Sequence, residues 1–160
     1  CNFTFAVLQD CEFNHCDLTL CEFSRSEIYL SSLHECQLTG ANFQGATATK
    51  IIGNSVELSD ATITDCNLAY ANFTGSTMVE VDFSGCRMSH ARLDGANLTG
   101  AILVDCELHN IEADRVTLNH ADLRGATLSG LDVRNIDMTG VKINLDQAAT
   151  LLEEIGVDVT

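Results

Sequence analysis

Cys11-Glu12-Phe13-Asn14-His15, Cys16-Asp17-Leu18-Thr19-Leu20 and Cys21-Glu22-Phe23-Ser24-Arg25 are three copies of one pentad: small, polar, large apolar, polar, polar. The same register extends in both directions. All eight cysteines of the chain fall on it, from Cys1 to Cys106. Two residues after each such position stands a large apolar residue, as in Phe3, Leu8, Ile28, Leu33, Leu38 and Phe43, and again from Leu58 through Ile63, Leu68, Phe73, Met78 and Phe83 to Leu108. The pattern governs the chain to about Ile143.

A fixed internal period outranks any local helix or strand assignment, because stacked units bury a continuous core only together. Neither 3.6 nor 2.0 divides five, so a helix or a flat strand would scatter the apolar positions around its surface. A chain that turns a corner at every pentad aims all of them inward. Four pentads make a square coil, and coils that pair their backbones rise by ~4.8 Å each. The expectation is an all-β solenoid of about seven coils, ~35 Å long, with large residues packed against Ala, Cys, Ser and Val. The absence of proline suits an unbroken ladder.

Eight cysteines in a short chain raise the alternatives of a disulfide framework or a zinc site. Their regular spacing instead marks them as small inward-facing core residues, and free thiols imply a reducing, cytoplasmic setting. His15, His34, His90, His109 and His120 fall in scattered outward slots, so no metal or other cofactor is expected. No nucleophile-elbow, phosphate-loop or zinc-ligand spacing is present. The carboxylates face outward with no cleft to desolvate a pair, and the chain reads as non-enzymatic. No apolar run is long enough to span a bilayer.

Charge is the functional clue. Asp and Glu number 23 against 8 Lys and Arg, a formal net charge of −15, which invites a basic partner and excludes direct nucleic-acid binding. Duplex DNA carries one negative charge per ~1.7 Å of axis, so a groove built for DNA accepts an acidic rod; acidity also keeps an edge-rich solenoid soluble. If the register runs unbroken, one side carries Asp17, Glu57, Asp60, Glu80 and Asp137 without Lys or Arg, and the other three sides each carry basic residues.

The register weakens between Ala46 and Asp60. Ala48 and Gly53 occupy slots that elsewhere hold large apolar residues, and Ile52 stands where the repeat is polar. Either the core is thin here, or about ten residues including Thr49, Lys50, Ile51, Ile52, Gly53 and Asn54 leave the coil as a loop. A ten-residue loop preserves the sequence phase but turns every later side by half a coil. Asp65, Asp82, Asp105 and Asp122 then align under Glu12 and Glu35.

Residues 1–143 are thus expected to form the solenoid and residues 144–160 its cap. Asn144 or Asp146 is placed to start a short helix, Leu151, Leu152 and Ile155 give it an apolar stripe, and Gly156 stops it. A terminal strand follows. Capping alone accounts for this segment; with Val157 and Val159 it also suits a two-fold dimer.

Ala41-Asn42-Phe43-Gln44-Gly45, Ala71-Asn72-Phe73-Thr74-Gly75, Ala96-Asn97-Leu98-Thr99-Gly100 and Ala121-Asp122-Leu123-Arg124-Gly125 resemble the A(N/D)LXX motif of pentapeptide-repeat proteins. That resemblance implies a right-handed quadrilateral β-helix. The stretch Leu131 to Ile143, followed by Asp146-Gln147-Ala148, Leu151-Leu152 and Ile155-Gly156-Val157, looks like the C-terminal end of Qnr proteins. Asn67-Leu68-Ala69-Tyr70-Ala71-Asn72-Phe73 and Cys1-Asn2-Phe3 are also Qnr-like. The resemblance implies a cytoplasmic homodimer that binds DNA gyrase and topoisomerase IV, as a DNA mimic, and protects them from quinolones. It also places the larger of two Qnr loops at about Thr49 to Asp60, although the sequence there differs from that loop. Candidate partner contacts are Asp17, Glu57, Asp60, Asp65, Glu80, Asp82, Asp105 and Asp122. The rival reading is a generic scaffold for protein–protein interaction with no topoisomerase target.

Overall fold

The computed structural model describes residues 1–54, 56–129 and 131–160, with the backbone alone for 56–58. The pentads stack into four columns of parallel bridges, one for each side of a square coil. The first side runs Asn2, Glu22, Asn42, Asn72, Arg92, Glu112, and the second runs Val7, Glu27, Thr47, Thr77, Asn97, Thr117. On the third, β1 (Glu12–Asn14), β2 (Ser32–His34) and β5 (Thr62–Thr64) pair in parallel, and the column continues through Asp82, Ile102, Asp122 and Lys142. The fourth runs Asp17, Gln37, Asn67, Arg87, Glu107, Thr127.

Each coil hydrogen-bonds to the coils before and after it, as when Phe23 N–H donates to Asn42 O at 2.7 Å and Asn42 N–H donates to Cys21 O at 3.0 Å. Corners fall on the last residue of the pentad, which adopts positive φ, for example His15 (53°), Asp65 (53°) and Asp105 (56°). The coil rise is visible in the core. Phe23, Phe43 and Phe73 stack nearly parallel at 4.7 and 4.8 Å between centroids, the spacing of hydrogen-bonded strands. Phe, Leu, Ile and Met alternate inside with Ala, Cys and Ser, as the size argument requires.

Among the described residues the coil is interrupted by one insertion, on the second side. Steps of 20 residues become steps of 30 for Ser32↔Thr62, Gln37↔Asn67, Asn42↔Asn72 and Thr47↔Thr77. Residues 49–58 leave the coil as an antiparallel hairpin of β3 (Lys50–Ile52) and β4 (Val56–Leu58). Gly53, with φ of 66°, lies in its turn, and this explains why neither Gly53 nor Ile52 obeyed the repeat. The excursion therefore settles the register. Ala48 remains buried in the coil.

At the far end, the last pass of the first side departs from the expected regularity. Val133–Asn135 forms a 3-10 turn, with Asp132 accepting from Arg134 N–H at 3.1 Å. A terminal coil lacks the next coil's hydrogen-bond partners, so local bonds replace ladder bonds there. Helix α1 (Leu145–Glu154) then covers the open core. Gln147 is its chief fastener: Oε1 accepts from Asn144 N–H at 2.6 Å, while Nε2 donates to Leu123 O and Ala126 O at 2.7 and 2.6 Å. The helix ends in a Schellman motif, with Gly156 N–H on Glu153 O and Val157 N–H on Leu152 O. Leu151 is buried against the coil. Its expected dimer contact is therefore spent within its own chain, whereas Leu152, Ile155, Val157 and Val159 stand exposed. Residues 157–160 form no strand, since no free edge of the chain pairs with them.

Candidate functional site: an acidic edge beside a hairpin

The hairpin redistributes the charges. Asp17 lies in the fourth column with Arg87, not with Glu80, so the side expected from an unbroken register does not exist. Asp60 and Glu80 instead share the corner between the second and third sides, one coil apart. Around that corner stand Asp82 and, across the third side, Asp65 and Asp105. Glu12 and Glu35 extend this acidic surface toward the first coil. Glu57 lies in β4, outside the residues whose side chains are described.

Local bonds orient these groups. Asp82 Oδ1 accepts from Ser84 N–H at 2.9 Å, and Glu80 Oε2 accepts from Ser59 Oγ at 3.4 Å. Asp65 and Asp105 fold over the next coil where Gly85 and Gly125 stand; a Cβ at either glycine would strike the carboxylate above it. These two glycines leave room for the acids at the corner.

One end of the third side is neutralised. Arg124 donates from Nε to Asp122 Oδ1 at 2.9 Å and from Nη2 to Oδ2 at 2.7 Å. These bonds hold the Asp122 carboxyl below its ordinary range, and Asp122 is only 8% exposed. Of the candidate contacts whose side chains are described, it is the least exposed. At the other end, His15 Nδ1 lies 2.8 Å from Glu35 Oε2, while His34 lies 3.3 Å from Glu35 and 3.7 Å from Asp65. Sequence reasoning scattered these histidines; the coil rise brings two of them together. Among the described residues, no group of three or more His, Cys, Asp and Glu side chains is arranged to hold a metal ion.

On the second side the hairpin presents Ile51 at 73% and Ile52 at 48% exposure. Its base rests on Tyr29, an anchor that the sequence analysis did not single out. Lys50 Nζ donates to Tyr29 Oη at 3.0 Å and lies 3.6 Å from Glu27 Oε2. The departure of Tyr29 from the small or polar residues usual in its slot was the available signal.

The thiols form an internal ladder. Cys16, Cys36, Cys66, Cys86 and Cys106 recur on successive coils, all eight cysteines of the chain are free, and Cys21 and the last four of the ladder are buried. Burial pushes the Cys36 thiol up to about 11 and the Cys106 thiol up to about 12, so both stay protonated. The hydrogen bond with Cys66, together with burial, raises Cys86 as well.

Comparison with known proteins agrees with this architecture. The family model for pentapeptide repeats matches in eight copies, over residues 1–36, 31–69, 57–95, 66–105, 91–130 and 101–140. The chain belongs to the pentapeptide-repeat family, whose fold is a right-handed β-helix. Among solved structures it is similar to a trypsin-treated variant of QnrB1, a plasmid-mediated fluoroquinolone resistance protein, at 32% identity and TM-score 0.91. That match covers 100% of this chain and 75% of the QnrB1 chain. Full-length QnrB1 gives the same identity and TM-score over 98% of this chain and 74% of its own. A pentapeptide-repeat protein of the Arabidopsis thaliana thylakoid lumen matches at 18% identity and TM-score 0.50, covering 91% and 77% of the two chains, a likeness of fold alone. No curated sequence matches significantly. Among the described residues, no helix is long and apolar enough to cross a membrane.

Proposed function

We propose that this protein binds DNA gyrase and topoisomerase IV as a DNA mimic and protects them from quinolones. The supporting observation is the whole-chain likeness to QnrB1, joined to a hairpin in the segment where the resemblance to Qnr proteins implies their larger loop. Asp60, Glu80, Asp82, Asp65 and Asp105 meet the basic DNA-binding surface of the enzyme, and Ile51 and Ile52 make the apolar contact of the hairpin. The action is binding without catalysis, in the cytoplasm.

The working form is a homodimer joined through Leu152, Ile155, Val157 and Val159, which together expose apolar surface at the capped end. Pairing of residues 157–160 across the two-fold axis supplies the strand that the single chain lacks.

Supercoiling by purified gyrase in the presence of a fluoroquinolone tests the reading. Titration from far below to above the enzyme concentration restores supercoiling if the protein protects. Inhibition that grows with dose keeps the DNA mimic and removes protection. No effect at micromolar dimer replaces the proposal with a generic interaction scaffold.

A further inference from the structure

We propose that Tyr29, Lys50 and Glu27 form a clamp that holds the 49–58 hairpin on the second side in one pose, with Tyr29 as its positioning residue. The first observation is burial. Tyr29 occupies the outward slot just after the core residue Ile28, where other coils carry Gln9, Val79, Thr99 and Asn119, all half-buried or exposed. Tyr29 is only 2% exposed.

The second observation is how its polar atom is satisfied. The phenol hydroxyl donates to Gln9 Oε1 at 2.9 Å and accepts from Lys50 Nζ at 3.0 Å. A buried tyrosine hydroxyl without partners would be costly; here one partner comes from the coil below and one from the hairpin. The third observation is Glu27 Oε2, a buried carboxylate oxygen with no hydrogen bond, 3.6 Å from the same ammonium. Lys50 closes the circuit by facing both groups at once.

Two consequences follow. Lys50 is the one Lys or Arg on the second side among the described residues, and its pairing with Glu27 keeps it from opposing the corner acids Asp60 and Glu80. The clamp also orders the chain directly before Ile51 and Ile52, so part of the ordering cost of binding is met before any partner arrives. This functional meaning rests on the topoisomerase reading; the clamp itself does not.

The test uses the intact chain without a topoisomerase: amide hydrogen exchange, and the rate of trypsin cleavage after Lys50. Tyr29→Phe removes the hydroxyl and keeps the ring; Glu27→Gln removes the charge. The hydrogen bond lost in Tyr29→Phe makes local opening about 2- to 10-fold more frequent, and the ion pair lost in Glu27→Gln makes it up to about 5-fold more frequent. Exchange in β3 and β4 and cleavage after Lys50 accelerate by those factors, while exchange around Phe43 and Phe73 stays at the wild-type rate. Wild-type rates at the hairpin in both variants overturn the clamp. Equal acceleration throughout the coils also overturns it, since the residues would then support the solenoid and not the hairpin. Failure of gyrase protection leaves these rates unchanged and so counts only against the proposed function.

Discussion

Deleting residues 49–58 should leave a folded solenoid. Leu30 N–H donates to Ser59 O at 2.9 Å, as Arg25 N–H does to Gln44 O and Leu20 N–H to Thr39 O, at 2.9 and 3.0 Å. Ser59 therefore occupies the slot that would follow Ala48, and joining Ala48 to Ser59 replaces Thr49 by another hydroxyl residue. Closing a ten-residue loop costs (3/2)RT ln n, or about 2 kcal/mol, which the deletion recovers. Against this stand the Lys50–Tyr29 hydrogen bond, about 1 kcal/mol, the Lys50–Glu27 ion pair, up to about 1 kcal/mol, and the exposure of Tyr29. The terms nearly cancel. Stability should stay within about 1 kcal/mol of wild type, a Tm change within about 4 °C, measured by circular dichroism on heating. If the proposed function holds, gyrase binding through the acidic edge survives and rescue from quinolone falls. A Tm lower by more than about 10 °C, or loss of the β-helix spectrum, would refute the assignment of these residues as an insertion outside the coil.

Charge reversal of Glu80 and Asp82 to Lys should weaken gyrase binding at low salt by at least about tenfold, with a shallower salt dependence, as measured by competition with DNA; unchanged affinity would count against DNA mimicry. Phe43→Ala empties the middle of the aromatic stack and should cost about 3–5 kcal/mol, read as a Tm drop of about 10 °C. In the native protein an aromatic disulfide reagent should modify Cys1 fast and Cys11 and Cys16 slowly, and the remaining five thiols only on unfolding. Asp122 has its native pKa lowered by Arg124, so its contribution to stability is full above its unfolded value of about 4 and is lost as pH falls through the lower native value. Below about pH 4 stability should decline, and less steeply in Asp122→Asn.

The square coil was legible because the determinants lie in the pentad itself: a large residue at the centre and a small one two places earlier. Phe23, Phe43 and Phe73 could be placed inside from the sequence alone. Their stacking could not be read from it, since Phe43 and Phe73 stand 30 residues apart and the spacing between aligned pentads is otherwise 20. The cap was partly legible. Asn144, Gly156 and the apolar stripe marked a helix, whereas the reach of Gln147 to Leu123 O and Ala126 O depends on how the helix lies across the last coil. Val133–Asn135 kept the sequence pattern and lost the structural one, because a pentad encodes its own turn but not the presence of a following coil.

The acidic surface shows most plainly where periodicity falls silent. An excursion of ten residues is two pentads, so it leaves every later Phe, Leu and Cys in phase while exchanging opposite sides of the square. Core identity is insensitive to such an insertion, and surface identity is entirely determined by it. Asp65, Asp82 and Asp105 join the column of Glu12 and Glu35 only because the hairpin exists, and Asp17 leaves the side of Glu80 for the same reason. The hairpin thus does two things at once. It raises Ile51 and Ile52 above the rod, and it sets which carboxylates stand beside them, so that Asp60 and Glu80 stack at the corner where the chain rejoins the coil. Any relative that lost the insertion would keep the same core and present a different charge pattern to its partner.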